Sequence, residues 1–307
     1  MRVELTAGER AQLRELGTQR SLGERAGFVR PEVAERWRQL QDGIARAHGL
    51  HPADARFRAD AGGGRAWIEV SPRSAEMRAA AAARFADAIE AFAVHELPMD
   101  VDAAAGARLR AKLEAGGPVL VGERHGVEQN PLVAHTLMRR FGLRVLGLEW
   151  STELQPAVDA FLDGGPLAVG RFTDSGDGRI TAGHFAVMRA LRRDGLLDGV
   201  VLFDPSPWPG SWSERDWGMA VRLLQETRDT PALAMAGSLH TRLRRHRHGE
   251  PLGAHVARAR SGTIEIRLRY PGDLVSGVQG DACTLRSAGA WLELTVPDSR
   301  PGVTPAG

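Results

Sequence analysis

Residues 119–128 read Val-Leu-Val-Gly-Glu-Arg-His-Gly-Val-Glu, a passage from fully apolar to charged within a few positions. A short apolar run bounded by glycine reads as a strand buried on both faces, as parallel strands are. Glu123, Arg124 and His125 then stand at its carboxyl end. The same shape recurs three times: Arg144–Leu148 runs into Glu149, Gly199–Phe203 into Asp204, and Ala232–Ala236 into Gly237-Ser238-Leu239-His240. Helical patterns separate these runs. The alternation predicts an α/β fold, a mainly parallel central sheet flanked by crossover helices. Ligands of open α/β sheets bind at the carboxyl ends of the strands, and here four strands deliver ionisable or imidazole groups to that edge.

Working outward, the first strand is expected over Pro118–Val121, and Thr263–Arg269 and Trp291–Val296 close the sheet. Asn130 is expected to cap a helix with Pro131 in its first turn and Gly142 as its stop. Further helices are expected over Thr152–Leu162, from Thr181 to about Arg193, and from Ser213 to about Thr227. A Gly-rich connection (162–179) and a Pro/Trp loop (204–212) lie between them. The first hundred residues read as mostly helical, with Val33, Trp37, Leu40 and Ile44 at helical spacing and a short strand over Ala66–Val70. The expected organisation is a helical N-terminal extension (1–100), an α/β catalytic domain (101–300) and a disordered tail (301–307). The extension is a candidate lid, partner-binding element or homodimer contact.

Composition narrows the function classes. Of 307 residues, 43% are hydrophobic and 25% charged, enough apolar surface for a sizeable core. A formal net charge of +2 argues against a nucleic-acid binder. Cys283 is the only cysteine, so neither an internal disulfide nor a cysteine-based zinc site is expected. The start lacks the apolar stretch of a signal peptide, and no segment approaches the roughly 20 apolar residues of a membrane span. A cytoplasmic protein without membrane contact is expected.

Burying several ionisable groups along one sheet edge is costly unless they pair, bind metal or react. Two histidines with two carboxylates suit two chemistries. In one, histidine takes a proton from water, a glutamate assists it and an arginine stabilises the oxyanion. In the other, a His/carboxylate site holds a divalent metal (manganese, cobalt or zinc) that generates hydroxide. There is no G-x-S-x-G elbow and no phosphate loop.

The pair VLVGERHGVE and LGLEW (146–150) resembles the opening of the erythromycin esterase family, which is grouped with the ChaN-like lipoproteins and the TIKI/TraB proteases. SERDWGMA (213–220) and AMAGSLHT (234–241) are similar to that superfamily's arginine helix and second G-x-x-H motif. The resemblance covers residues 117–245 and leaves the first hundred uncovered. It implies His125 as leading base or metal ligand, Glu123 and Glu149 as partner carboxylates, Arg215 facing the site, and His240 completing it. Glu128 stands where the esterase branch often carries an acid. Members open macrolide lactones, cleave peptides with a metal, or bind haem. The expectation is a hydrolase of an ester, lactone or amide in natural-product or peptide tailoring, with elimination or cyclisation by the same base as a variant. A metallopeptidase holding its ion on His125, Glu149 and His240 is the rival. A haem- or iron-binding or non-catalytic binding protein is the alternative outside enzymes.

Glu128, Asp204, Trp208 and Trp212 are the candidate binders of a small-molecule or peptide substrate, the tryptophans forming an aromatic wall. Arg242–His248 (RLRRHRH) reads as a solvated basic face, with a docking patch for an acidic substrate or peptide as its alternative. His246 and His248 form a weak metal-ligand pair. His184 reads as surface or core.

Overall fold

The computed structural model describes residues 2–25, 31–50, 52, 55–59, 66–70, 74–172, 178–205, 211–228, 230–271 and 282–305. The chain divides into two compact units: Met1–Ala80 with Trp208–Trp212, and Ala81–Pro207 with Ser213–Gly307. That division falls earlier than the boundary expected at residue 100.

The first unit holds β1 (Arg2–Glu4), α1 (Ala7–Arg25), α2 (Pro31–Ala47), β2 (Ala55–Ala59), β3 (Ala66–Val70) and the start of α3 (Ser74–Ala91). Its strands pair antiparallel in the order β1-β3-β2. Ile44 and Ile68 are buried with Leu5 and Leu13, and Trp37 and Leu40 pack against them. The helical spacing read in α2 is therefore its core-facing stripe.

The second unit contains β4 (Met99–Val101), α4 (Ala103–Glu114), β5 (Val119–Glu123), α5 (Gln129–Phe141), β6 (Val145–Ser151), α6 (Gln155–Leu162), α7 (Ala182–Arg193), β7 (Gly199–Asp204), α8 (Trp212–Thr227), β8 (Ala232–Gly237), α9 (Leu252–Ala259), β9 (Ile264–Arg269), β10 (Cys283–Ala288) and β11 (Trp291–Thr295). Eight strands form one sheet in the order β4-β10-β11-β9-β5-β8-β6-β7. Among the described residues of this sheet, only the β10–β11 hairpin is antiparallel. The expected mainly parallel α/β sheet is what the chain forms.

Strand alternation explains why both faces are covered. Val121, Leu146, Leu148, Leu233 and Met235 belong to one core with Val133 and Leu137 of α5 and Phe185 of α7. Leu120, Val145, Phe203, Ala232 and Ala234 belong to the other, with Met219 and Leu223 of α8 and Val256 of α9. Each fully buried Leu or Val contributes about 1.5–3 kcal/mol, which fixes the register of these strands.

Two local expectations are corrected. The helix after β5 begins at Gln129, so Asn130 is not its cap. Asn130 is instead buried, donating from Nδ2 to the Arg124 carbonyl (2.9 Å) and accepting from the Tyr270 hydroxyl (2.6 Å). The tail is also more ordered than expected over residues 301–305. Pro301 bridges Val127, Gly302 donates to the Gly126 carbonyl, and the Val303 carbonyl accepts from Ala182. Among the described residues, no helix is long and apolar enough to cross a membrane.

Candidate active site

β5, β8, β6 and β7 are neighbours in the sheet and all parallel, so their carboxyl ends lie side by side. Glu123, Gly237 and Asp204 are the last residues of β5, β8 and β7, and Glu149 lies near the end of β6. The strands run slightly longer than the apolar stretches, which places the carboxylates inside them.

Glu149 is at the centre. Its Oε1 accepts from Arg215 Nη2 (2.7 Å) and Arg179 Nη1 (3.1 Å), and its Oε2 accepts from the Gly237 amide (2.7 Å). Arg215, from the first turns of α8, also grips Asp204 with two bonds of 2.7 Å, Nε to Oδ1 and Nη2 to Oδ2. Arg179 donates to Asp204 as well (3.0 Å) and to the Glu149 carbonyl (2.9 Å). The indole of Trp150 donates back to the Arg179 carbonyl (3.1 Å), so the Arg179 loop and β6 clamp each other. Two guanidinium groups thus neutralise two carboxylates, the condition under which buried charges are tolerated.

A histidine flanks this lattice on each side. His125 Nδ1 lies 2.9 Å from Glu123 Oε1, and its Nε2 lies 3.9 Å from Glu149 Oε2, beyond hydrogen-bond reach. His240 Nδ1 lies 2.6 Å from Asp216 Oδ1, which also accepts from the Leu252 amide, and its Nε2 lies 3.2 Å from Arg215 Nη1. A guanidinium only donates, so Nε2 accepts there and Nδ1 carries the proton towards Asp216.

The two motif glycines do something other than turn the chain. Gly122 is buried within β5, and a Cβ there would meet Thr241 Oγ1 at 2.5 Å and Ser238 Cα at 3.2 Å. A Cβ on Gly237 would meet His125 Nε2 at 3.3 Å and Glu149 Oε2 at 3.5 Å. Each motif's glycine is clearance for the other motif. The turn that carries His125 out of the strand uses Gly126, at φ +80°.

The electrostatics separate the groups. Burial works to raise the pKa of Glu149. The groups around it that carry or can take positive charge, His240, Arg179, Arg215 and His125, outweigh burial and hold it well below the carboxylate range. Burial raises Glu123 above its ordinary value, despite the lowering effect of the His125 hydrogen bond. Its Oε2 is buried without a hydrogen-bond partner among the described residues. Burial disfavours charge on His125, but the hydrogen bond and charge of Glu123, with Glu149 behind, overcome it and raise its pKa. Burial raises the Cys283 thiol to about 11, which does not suit a nucleophile.

Glu123, His125, Glu149, Asp204, Arg215 and His240 are therefore brought together. Glu128 is not: it stands at the start of α5, where its amide donates to the Arg300 carbonyl and its carboxylate makes no capping bond. Trp208 lies outside the described residues, and Trp212 opens α8 and groups with the N-terminal unit. Arg124 is exposed and lies over the Tyr270 ring, 4.5 Å from its centroid.

Two residues join that sequence reasoning passed over, and a third, His184, read as surface or core, is placed in the core. Arg179 sits in the Gly-rich connection. Asp216 is the neighbour of Arg215 and is fully buried behind His240. His184, on α7, is buried, accepts from the Thr181 amide through Nδ1 (3.3 Å), and is pushed down to about 3 by burial and the nearby His125. A motif's immediate charged neighbour, Asp216, was the one signal available.

The residues present do not fit a metal. Among the described residues no three His, Cys, Asp or Glu side chains are grouped to hold an ion. The positive charge between His240 and Glu149 is the Arg215 guanidinium, which spends the lone pairs a metal would need. His246 and His248 do not offer a ligand pair either, since His246 uses Nε2 on the Leu239 carbonyl and Nδ1 on the His248 amide. No family model, no curated protein and no solved structure matches the chain.

Proposed function

We propose that the protein is a hydrolase that cleaves an ester, lactone or amide with a histidine-activated water, within the erythromycin esterase-like superfamily its motifs resemble. The observation that carries this reading is His125. Its Nδ1 is held by a buried glutamate, while its Nε2 makes no hydrogen bond among the described residues and the side chain is 21% exposed. It is the member of the cluster with a ring nitrogen still uncommitted.

In this reading water gives a proton to His125 Nε2 as its oxygen attacks the carbonyl carbon. Glu123 stabilises the imidazolium through Nδ1. Arg215 and Arg179 stabilise the charge on the carbonyl oxygen, and Glu149 and Asp204 hold both guanidinium groups in place beforehand. The tetrahedral intermediate collapses, and His125 returns its proton to the departing alcohol or amine. Asp216 and His240 position Arg215 from behind.

The test is a panel of p-nitrophenyl esters, lactones and peptide amides, with the protein treated with chelator, beside His125→Ala. Turnover that survives chelation and is lost in the variant is expected. Turnover that disappears with chelator and returns with manganese, cobalt or zinc would overturn the reading in favour of a metallopeptidase. Hydrolysis undiminished in His125→Ala would remove the base from it.

A further inference from the structure

The basic run Arg242–His248 leaves the His240 turn and folds into the wall of a groove of about 580 Å³. Leu239, Leu243 and Trp291 give this groove an apolar part, and the size is that of a ligand pocket. Five arginines line it (Arg242, Arg244, Arg245, Arg247 and Arg267) against a single acid, Glu265. Glu265 is buried and already taken by Arg267, at 2.6 and 3.0 Å. Arg244 and Arg245 are exposed and make no hydrogen bond or ion pair among the described residues. Burial first, then the like charges of Arg267 and Arg269, lower the pKa of Arg242 against the opposing pull of Glu265.

The groove is built and tied to the catalytic turn. His246 bonds the Leu239 carbonyl (3.1 Å), Arg242 Nε donates to the Ser238 carbonyl (3.0 Å), and His246 and Gly249 pair their backbones. Leu239 therefore lines the groove while its neighbour His240 sits in the site.

We infer that this groove binds an acidic peptide segment, one whose carboxylates alternate with apolar side chains. Arginine forks take carboxylates bidentately, and Leu239, Leu243 and Trp291 take the apolar positions. A nucleic acid fits less well. The chain's net charge is only +2, and the Trp291 ring that would stack a base carries Arg267 over its face, 3.6 Å from the centroid. That the bound peptide is the recognition segment of the substrate rests on the hydrolase reading above.

The experiment is fluorescence anisotropy of the full chain with a short labelled peptide of alternating glutamate and leucine, beside its lysine-leucine counterpart and a single-stranded oligonucleotide. Two double variants carry the same charge change: Arg244→Glu/Arg245→Glu in the groove, and Arg84→Glu/Arg110→Glu on exposed positions outside it. The expected result is salt-sensitive binding of the acidic peptide alone, weakened about tenfold or more by the groove variant and little by the control. Thermal melts and an Arg244→Gln/Arg245→Gln variant guard against a folding artefact. Equal weakening by both double variants, tighter binding of the oligonucleotide, or no binding of the acidic peptide would overturn the proposal. Binding is read without turnover. Peptide bound without ester, lactone or amide cleavage sinks the hydrolase reading and keeps the groove, and cleavage without peptide binding does the reverse.

Discussion

Gly122–His125 and Gly237–His240 share the same G-x-x-H phrase, begin within the ends of neighbouring strands and finish in a histidine beside a carboxylate, yet their histidines are held in opposite ways. His125 takes its carboxylate from its own strand two residues back, keeps one ring nitrogen uncommitted and is 21% exposed. His240 takes its carboxylate from α8, is engaged at both ring nitrogens and is 6% exposed. The difference lies in what else is packed there. Asp216 and Arg215, adjacent on α8, close on the His240 ring from two sides, whereas the His125 ring is bonded on one side, by Glu123, and the backbone of its loop is held through Asn130, Gly302 and Arg300. A fixed backbone with a partly open ring suits a proton carrier, and a ring bonded on both sides suits a brace.

The sharpest way to break this comparison is to remove each ring. On the proposed hydrolase reading, His125→Ala should lower turnover by about 10²–10⁴-fold with little change in melting temperature, the usual scale for losing a general base. His240→Ala should act on stability first. It leaves Asp216, which has no exposed surface, with the Leu252 amide alone of its two partners, a loss of about 1–3 kcal/mol. Denaturant titration beside initial rates separates the two, and a His240→Ala protein as stable as wild type would mean that both ends are alike.

The glycines sharpen the same contrast at smaller amplitude. Gly122→Ala drives a methyl against Thr241 and the Ser238 backbone, which cannot move without shifting the second motif. We expect about 1–3 kcal/mol of destabilisation by denaturant midpoint, an overpacking cost. Gly237→Ala meets the far end of the His125 ring at 3.3 Å, where the ring can give way. Its stability loss should be the smaller and its loss of turnover the larger.

How much of this was legible beforehand follows from what each residue had to satisfy. Val119–Val121 and Ala232–Ala236 could be read as strands because both their faces are buried, which leaves an unbroken apolar run. Thr181 could be read as the start of α7 because a helix amide needs a cap. Site residues at strand ends were visible for the same reason: charge directly after such a run has nowhere else to be. Arg179 was not, because a Gly-rich connection has no period to say which way a side chain points. Asp216 was hidden by its place on a helix where charged residues usually face water. β4 and β10 escaped because a three-residue strand and a hairpin arm with exposed positions carry too little pattern. The motif glycines were seen, but their role was not, since clearance between two strands depends on which strand is the neighbour.

The smallest expected effect tests the cause of the difference between the two histidines. As the proposed base, His125 must be neutral to accept a proton, so turnover should rise with pH through its folded pKa, which lies above the ordinary 6.5. Burial alone would hold that pKa low, and the Glu123 hydrogen bond and charge are what lift it. Glu123→Gln keeps a side chain of the same shape and removes the charge, so burial should prevail and the acidic limb of the pH–rate profile should move to lower pH. The stability linkage has a definite sign. A histidine with a raised folded pKa contributes stability below about pH 6.5 that is lost as pH climbs through the folded value. Glu123→Gln should therefore flatten the decline in melting temperature above pH 6.5 while shifting the rate profile. A midpoint that stays put in the variant would mean that Glu149, not Glu123, sets the charge of the ring, and the carboxylate on β5 would then be an orienting group only.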